Sequence, residues 1–282
     1  MSLEIKPLSP ALGASIEGID WTQPVAAGIV DILNDALGSF HLLCLRTAPL
    51  TAADFSRLGQ YFGEPKVQLL RDYRPEGNPE VSVFDSTWKQ PEDKPQDLSL
   101  DRRSGWHTDD SYFAEPAWIT LLQALEIPDA GGETRFCNAV KAFEDLEREQ
   151  QSTYSQLRAV HSYDTMRAPA RARSRTEDEI AATPDVVHPL IRTHEDTGNK
   201  AIYFNSNRTD RIEGMAREQS DALLDELHAH MTKDEYQYHH RWQIGDVLMW
   251  DNRSVTHSVN VDFPVGQSRI HQRLLLIGKA PI

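Results

Sequence analysis

The residues that could do chemistry begin with the tetrapeptide Trp106-His107-Thr108-Asp109. It places an imidazole and a carboxylate two residues apart, and on an extended segment such residues point to the same side. One short strand can therefore present two ligands to a single metal ion. A third ligand must come from elsewhere in the chain, and His257 is our candidate. Two histidines and one carboxylate on one face of a metal leave the other face open, as in non-heme iron(II) sites.

His107 has an alternative interpretation, because a single histidine is often a structural residue whose ring nitrogens are paired inside the protein. A second motif of similar composition, His194-Glu195-Asp196, runs into the turn-forming segment Thr197-Gly198-Asn199. Asn and Gly favour turns, so we interpret this second motif as a solvent-exposed loop and not as a metal site.

Other histidines of the chain do not offer a ligand pair. His228 and His230 lie two residues apart on a predicted helix, so they point to different faces. His239 and His240 are adjacent on a predicted strand, where neighbouring side chains alternate between the two faces. We therefore reject both pairs as metal ligands.

Composition excludes several classes of protein. The 282 residues are 39% hydrophobic and 26% charged, which is typical of a globular protein, and we expect one domain over residues 1–282. The net charge of -14 argues against a general nucleic-acid or membrane binder, although a local basic pocket stays compatible with it. The sequence shows no signal peptide, no apolar run of transmembrane length and only two cysteines, so we expect a cytoplasmic location.

Hydrophobic periodicity predicts a chain that is mainly β with flanking helices. Helices are predicted at residues 25–38, 51–63, 139–149, 151–160 and 215–231. Strands are predicted at residues 3–6, 15–19, 40–45, 117–126, after the Gly131-Gly132 turn, and at 186–193, 200–205, 238–243, 246–250 and 268–277. Residues 85–104 are polar and are interpreted as a loop before the Trp106 motif. Short strands on both sides of helices favour a double-sheet jelly roll with helices packed outside.

The last predicted strand has an unusual face. Period-two alternation puts Arg269, His271, Arg273 and Leu275 on the same side. Arginine is seldom buried without a partner, so one interpretation is an edge strand whose polar face meets water. The other is a carboxylate clamp, because the two arginine Cα atoms would lie ~13 Å apart at normal strand rise. Guanidinium groups are strong donors to carboxylates, so the pair could hold a small dicarboxylate from both ends.

Five motifs follow one another along the chain: Trp106–Asp109, Gly131–Thr134, His188–His194, Trp250–Arg253 with His257, and the pair Arg269 and Arg273. Their combination resembles the taurine dioxygenase and dichlorophenoxyacetate dioxygenase family of Fe(II)- and 2-oxoglutarate-dependent oxygenases. The resemblance extends over roughly residues 3–280 and implies the family fold, a double-stranded β-helix.

The resemblance also implies roles for individual residues. Iron(II) would be bound by His107, Asp109 and His257, which would also be the catalytic centre. The distal carboxylate of 2-oxoglutarate would be held by Thr134 and Arg269. Arg273 would lie near the other end of 2-oxoglutarate and near the substrate.

The implied chemistry is the oxidation of a small molecule by dioxygen, with conversion of 2-oxoglutarate to succinate and carbon dioxide. Related halogenases have a small residue in place of the carboxylate ligand, whereas Asp109 is present here, so we expect oxygen transfer. Desaturation or ring chemistry in a biosynthetic pathway stays an alternative. Two further alternatives are a catalytically silent binding protein and an oxygenase that uses no oxo acid. We also expect that the chain could form a homo-oligomer.

Five residues are candidates for substrate binding by the same resemblance. Arg273 matches the family arginine that receives a sulfonate or carboxylate, so we expect an anionic substrate. Gln68 and Arg71 fall where taurine dioxygenase has a sulfonate-binding histidine and a pocket tyrosine. Asp110 and Arg208 replace an apolar and an aromatic pocket residue. Unless these two charges pair with each other, they favour a larger and more polar substrate than taurine.

Residues 166–183 are rich in Arg, Ala and Pro and are predicted to be a long loop, which in a compact domain is usually functional or disordered. The arginines of this loop have two interpretations. They either close over an anionic ligand or belong to a solvated basic loop; they are Arg167, Arg171, Arg173 and Arg175.

Overall fold

The computed structural model describes residues 3–90, 105–167, 175–206 and 208–282. Its strands are β1 (Glu4–Pro7), β2 (Ala14–Glu17), β3 (Leu42–Leu45), β4 (Val81–Asp85), β5 (Ile119–Glu126), β6 (Thr134–Asn138), β7 (Arg158–His161), β8 (Val186–Pro189), β9 (Ile191–Thr193), β10 (Lys200–Ile202), β11 (Thr209–Ile212), β12 (Gln237–His240), β13 (Val247–Asp251), β14 (Val255–Val259) and β15 (Ile270–Leu276). Its α-helices are α1 (Ala27–Phe40), α2 (Ala52–Gln60), α3 (Ala139–Glu144), α4 (Arg148–Tyr154), α5 (Glu177–Ala181) and α6 (Arg217–Met231).

The largest sheet has the strand order β1-β2-β3-β13-β5-β15-β4, and its pairs are antiparallel except β2 with β3. Its central strands are buried on both faces. In β13, Val247 and Met249 face one hydrophobic cluster, whereas Leu248 and Trp250 face another. This is the period-two alternation of a strand, and it explains why these strands are nearly continuous apolar runs in the sequence.

Helices α1 and α2 cover one face of this sheet. Leu33 and Leu37 of α1 and Phe55 and Leu58 of α2 join the cluster on that side. Helix α2 begins where Thr51 accepts a hydrogen bond from the backbone N–H of Asp54, as its sequence predicts.

A smaller antiparallel sheet, β12-β6-β14, packs on the other face of the large sheet. Phe136 of β6 meets Trp250 of β13 with ring centroids 5.2 Å apart. The next residue, Cys137, points away from the large sheet and into a third cluster with α3 and α6. The smaller sheet therefore lies between the large sheet and the helices of the second half of the chain.

Most predicted elements are confirmed, and several boundaries are corrected. The predicted strand 186–193 is two strands, β8 and β9. The predicted helix 151–160 ends at Tyr154 and is followed by β7. Strands β4, β11 and β14 were not predicted, and residues 91–104 of the predicted loop lie outside the described residues. Strand β15 pairs with β5 on one side and β4 on the other, so the edge-strand interpretation of residues 268–277 is wrong.

Within the part of the chain that the structure describes, no helix is long and apolar enough to cross a membrane.

Gly59 sets how closely α2 approaches β15. A Cβ atom at Gly59 would overlap Cδ2 of Leu274, whereas a Cβ at Gly28 of α1 would have no neighbour within 4 Å. We expect Gly59→Ala to lower the free energy of unfolding by about 1–3 kcal/mol, because overpacking outweighs the higher helix propensity of alanine.

The matched control is Gly28→Ala, which should leave the free energy of unfolding unchanged or raise it by up to about 1 kcal/mol. Urea unfolding of the two variants and the native protein measures both effects. If Gly59→Ala and Gly28→Ala had equal free energies of unfolding, the conclusion that α2 packs too closely on β15 for a side chain at position 59 would be contradicted.

Candidate active site

Three side chains from distant parts of the chain meet in one buried cluster. The potential ligand atoms of His107, Asp109 and His257 all lie within 4.8 Å of one another. Nε2 of His257 is 3.9 Å from Oδ2 of Asp109, and the two imidazole rings are 4.1 Å apart between centroids. The sequence-predicted ligand set is thus brought together by the fold.

The backbone explains how His257 reaches the first two residues. His107 and His257 exchange two N–H···O hydrogen bonds, of 2.9 and 2.8 Å, and form an isolated antiparallel bridge. His257 lies on β14, whereas Asp109 already belongs to a turn and not to a strand. The expected short strand is therefore a single bridge followed by a turn, which brings both ligands to His257.

The protonation states fit a divalent metal. Burial lowers the pKa of His107, and burial together with His107 lowers the pKa of His257 to about 3. Burial alone would raise the pKa of Asp109, but Arg273 and the two histidines lower it to about 2. Two neutral imidazoles and one ionised carboxylate are the forms that bind metals. Nδ1 of His107 lies 2.9 Å from the Gly105 carbonyl, to which it donates, so Nε2 is left for a metal.

A polar network fixes the position of Asp109. Thr120 of β5 donates to Oδ2 of Asp109 at 2.7 Å, and the side-chain N–H of Asn252 donates to Thr120 at 2.8 Å. The side-chain oxygen of Asn252 accepts from the Asp109 backbone N–H at 3.3 Å and from the Trp250 indole at 3.0 Å. Thr120 was not among the predicted site residues, although a hydroxyl inside the apolar run Ile119–Leu122 was a signal for such a partner.

Asp251, which precedes Asn252, holds the His194-Glu195-Asp196 motif in place. His194 donates to Asp251 at 2.9 Å, and Arg253 binds the same carboxylate. Only 3% of the His194 surface is exposed, so the interpretation of residues 194–196 as a solvent-exposed loop is wrong for His194. Its burial depends on a partner 57 residues away in sequence, which the local turn pattern does not reveal.

A single cavity of about 390 Å³ connects the metal cluster to the face of β15. It is lined by the three residues of the cluster, by Arg273 beside Asp109, and by Thr134, Arg269 and His271. Residues 269, 271 and 273 thus share one face of the strand, as the sequence predicts. The cavity places a row of basic side chains beside a candidate metal site.

Arg269 is a buried cation that lacks a carboxylate partner among the described residues. It is 5% exposed and donates to the Gly132 carbonyl at 3.2 Å and to the Ser86 hydroxyl at 3.1 Å. Burial lowers its pKa to about 10. A buried charge is costly unless it is paired, so this end of the cavity suits a ligand carboxylate. A Cβ at Gly132 would lie 3.2 Å from Nε of Arg269, and the positive φ of 71° there also favours glycine.

Arg273 stands at the metal end of the same face. It donates to Asp109 and to Gln68, each at 3.2 Å, and lies over the Phe84 ring. Its side chain is 26% exposed, in contrast to Arg269. Arg273 therefore has a guanidinium surface that a ligand in the cavity can still reach.

Of the other predicted substrate residues, Arg208 lines the metal cavity, whereas Gln68, Arg71 and Asp110 line a second cavity. This cavity of about 610 Å³ adjoins the first and shares Phe84, Asp110 and Arg273 with it. Gln68 is buried in its wall, and Arg71 is exposed at its edge in a 3-10 turn. Gln68 is linked to the metal cluster through Arg273, which donates to both Gln68 and Asp109.

Asp110 and Arg208 have separate partners. Asp110 pairs with Lys66 at 2.7 Å and accepts from the Tyr112 hydroxyl at 3.1 Å. Arg208 donates to the Tyr163 carbonyl and lies over the Tyr112 and Tyr163 rings. The alternative that Asp110 and Arg208 neutralise each other is therefore corrected. Our sequence analysis missed Lys66 and the two tyrosines, which lack any local motif.

The predicted loop 166–183 is organised where it is described. Residues 177–181 form α5, so the prediction of one long loop is wrong there. Arg167 pairs with Asp221 and Asp225 of α6, and Arg175 pairs with Asp164. These two arginines are thus bound to protein carboxylates. Arg171 and Arg173 lie outside the described residues.

A second group of potential ligands lies away from the cavity, at Cys44, His240 and Asp246. Asp246 is paired there with Arg46, and His240 is bonded to Asp246 and to Tyr238. Burial raises the pKa of the Cys44 thiol to about 12, so it is not a thiolate at neutral pH. We interpret this group as a structural network, because a cation would have to replace Arg46.

Comparison with known proteins agrees with this geometry. The family described as "Taurine catabolism dioxygenase TauD, TfdA family" matches residues 4–275. An alpha-ketoglutarate-dependent 2,4-dichlorophenoxyacetate dioxygenase from Cupriavidus pinatubonensis is 29% identical over 264 residues, which are 91% of this chain and 92% of the relative.

Solved structures give the same result. A taurine dioxygenase from Burkholderia xenovorans is 29% identical, with a TM-score of 0.85 over 100% of this chain and 91% of its own. The structure of AAD-2 in complex with Mn(II) and N-oxalylglycine is 24% identical, with a TM-score of 0.82 over 100% of this chain and 99% of its own. This last likeness is evidence for the fold.

Asp251→Asn tests the network behind the site. Burial alone would raise the pKa of Asp251, but His194 and Arg253 hold it well below its usual value. We expect the substitution to lower the free energy of unfolding by about 3 kcal/mol at pH 7, near the cost of breaking a buried pair. A depressed pKa contributes stability above the unfolded-state pKa of about 3.9, so the deficit should be constant from pH 7 to 5 and shrink below about pH 4.

The control is Asp196→Asn, because Asp196 also binds Arg253 but has a side chain that is 68% exposed. It should cost less than about 1 kcal/mol. Urea unfolding across the pH range measures both variants. Equal and small effects of the two substitutions would contradict the role of Asp251.

Proposed function

Because the chain belongs to the TauD/TfdA dioxygenase family, we propose that it hydroxylates a small, anionic and polar substrate other than taurine. Its class as a 2-oxoglutarate-dependent dioxygenase, and its use of a metal ion, 2-oxoglutarate and dioxygen, follow from the family and the relatives. The observation that carries the proposal is one cavity with a candidate metal cluster at one end and the buried, unneutralised Arg269 at the other.

The residues of the cavity suit these components. His107, Asp109 and His257 would hold iron(II), because they offer two neutral imidazoles and a carboxylate on one side of the cavity. Bound iron(II), with 2-oxoglutarate and dioxygen, supplies the oxidising chemistry and releases succinate and carbon dioxide. Arg269 and Thr134 would hold the distal carboxylate of 2-oxoglutarate, since a buried guanidinium and a hydroxyl are strong donors to it.

Arg273 supports an anionic substrate. It lies where the metal cavity meets the adjoining cavity, and its position is fixed by Asp109 and Gln68. A partly exposed guanidinium at this junction can receive a carboxylate or a sulfonate. The relatives described above are named for dichlorophenoxyacetate and taurine, and each of these molecules carries one such group.

The adjoining cavity supports a substrate that is larger and more polar than taurine. Its walls combine the aromatic rings of Phe84 and Phe113 with charged groups at Arg71, Asp110 and Asp178. A short molecule held by Arg273 would leave most of these 610 Å³ to water. We therefore propose that the substrate body extends from Arg273 into the adjoining cavity.

The proposal includes the architecture. The seven-stranded sheet facing the β12-β6-β14 sheet supports a double-stranded β-helix, or jelly roll, as one domain over residues 1–282. Desaturation or ring chemistry would use the same cofactors and stays an alternative outcome of the reaction. A silent binding protein would have no need for three deprotonated ligands beside a buried, unneutralised arginine.

The central test measures metal content and succinate. Native protein supplied with iron(II), 2-oxoglutarate and dioxygen should bind one iron and form succinate faster when anionic metabolites are screened as substrates. We expect His257→Ala to lose at least about a hundredfold in iron affinity and in turnover, because even the partners of metal ligands cost 10–100-fold.

His239→Ala is the control, because its ring is exposed on β12 and away from the cluster. It should retain both properties. Stoichiometric iron and full turnover in His257→Ala would overturn the metal assignment.

Taurine is the substrate that tests the pocket. With iron(II), 2-oxoglutarate and ascorbate present, we expect sulfite release from taurine to be at least about tenfold slower than turnover of the substrate found in the screen, since so short a molecule would leave most of the adjoining cavity to water. Sulfite release as fast as any other turnover would contradict the substrate proposal and leave the metal and 2-oxoglutarate assignments intact.

A further inference from the structure

His271 is a buried polar residue whose function the preceding assignments do not explain. It is 2% exposed, and both of its ring nitrogens are without a hydrogen-bond partner in the described structure. Buried polar atoms are nearly always paired, so each exception calls for an explanation such as a ligand. His271 lies between Arg269 and Arg273 on the face of β15 that lines the metal cavity.

The residues that line the cavities show where His271 lies relative to the metal cluster. A third cavity of about 410 Å³ lies behind this wall and is lined by Gly132, Trp242, Arg269 and His271. Among the described residues, neither Arg273 nor the metal cluster lines it. His271 and Arg269 therefore form one wall, at the end of the metal cavity that is far from the metal.

Trp242 contacts both His271 and Thr134. The Trp242 and His271 rings are in edge-on contact, with centroids 4.7 Å apart and planes at 73°. The Trp242 indole donates to the Thr134 hydroxyl at 3.1 Å, which leaves the proton of that hydroxyl for another acceptor. One indole thus positions two donors beside Arg269.

Arg269 has few donors left for a ligand. Three of its five N–H groups are used, because Nε and Nη2 each donate one to Gly132 and Nη1 donates one to Ser86. One N–H on each Nη atom is left for a ligand. A carboxylate offers about four lone-pair positions, so further donors beside Arg269 are needed to satisfy it. Burial and Arg269 lower the pKa of His271 well below its ordinary value, so its ring is neutral and has one N–H to donate.

We propose that His271 donates a hydrogen bond to the distal carboxylate of 2-oxoglutarate, beside Arg269 and Thr134. His271 is then a determinant of cosubstrate selectivity, because its hydrogen bond strengthens the binding of an oxo acid that carries this second carboxylate. The inference rests on the proposed use of 2-oxoglutarate at this site and adds a residue to it.

The experiment measures binding and not turnover. Dissociation constants are determined by calorimetry, without oxygen and substrate, for the Zn(II)-loaded protein and two ligands. One ligand is 2-oxoglutarate, and the other is 2-oxopentanoate, which has the same chain length but no distal carboxylate. The variants are His271→Leu, which removes the donor, and His271→Gln, which keeps one. His161→Leu is the control, because His161 is also buried with two unpartnered nitrogens but does not line these cavities.

We expect His271→Leu to bind 2-oxoglutarate about tenfold or more weakly, as for the loss of a hydrogen bond to a charged group. Its affinity for 2-oxopentanoate should be unchanged, and His271→Gln should recover most of the 2-oxoglutarate affinity. Equal losses for both ligands would show a structural role for His271, and an unchanged constant for 2-oxoglutarate would show no role. Either result overturns the inference.

A second readout uses the native sequence and therefore holds even if a variant does not fold. With ¹⁵N-labelled histidine in the Zn(II)-loaded protein, the His271 ring signals should shift on addition of 2-oxoglutarate and not of 2-oxopentanoate. Unshifted signals at saturation overturn the inference. If the metal-loaded native protein does not bind 2-oxoglutarate at all, the proposed function itself fails.

Discussion

The backbone bridge between His107 and His257 is the contact on which the site depends. It joins a turn from the first half of the chain to β14, and β14 pairs with β6 so that His257 faces Phe136 and Val259 faces Thr134. A one-residue slip in that register would turn either His257 or Thr134 away from the cavity. The same pairing therefore fixes the candidate metal cluster relative to Thr134, which we propose as part of the 2-oxoglutarate site.

The two arginines of the cavity differ in whether a carboxylate of the protein pairs with them, and this difference supports the binding of an anion. Asp109 is neutralised in part by Arg273, whereas among the described residues Arg269 donates only to neutral acceptors. Leaving a guanidinium buried without an anion costs stability, which a bound dicarboxylate offsets. The chain is acidic overall, with a net charge of -14, yet the cavity wall is basic. Selectivity for an anion is thus local and cannot be inferred from composition.

The sequence was sufficient to predict the features that depend on local spacing. The alternation along residues 269–275 predicted one basic face, and Thr51 predicted the start of α2. Features that depend on distant partners could not be predicted. His194 is buried beside Asp251, and Asp110 is paired with Lys66, which lies 44 residues earlier in the chain. Strand β15 was open to an edge-strand interpretation because β4, its second neighbour, is a run of only five residues that was not predicted as a strand.

Strand β15 packs into the hydrophobic core with one face and lines the metal cavity with the other. Leu274 and Leu276 on one face pack under α2, where Gly59 permits close approach, while Arg269, His271 and Arg273 on the other face line the cavity. Because strand side chains alternate strictly, a shift that relieves crowding at Leu274 must also move Arg273 and its contact with Asp109. The hydrophobic core behind the strand therefore holds the basic row at its distance from the candidate metal cluster, and the tight packing beneath β15 supports the cosubstrate site that we propose.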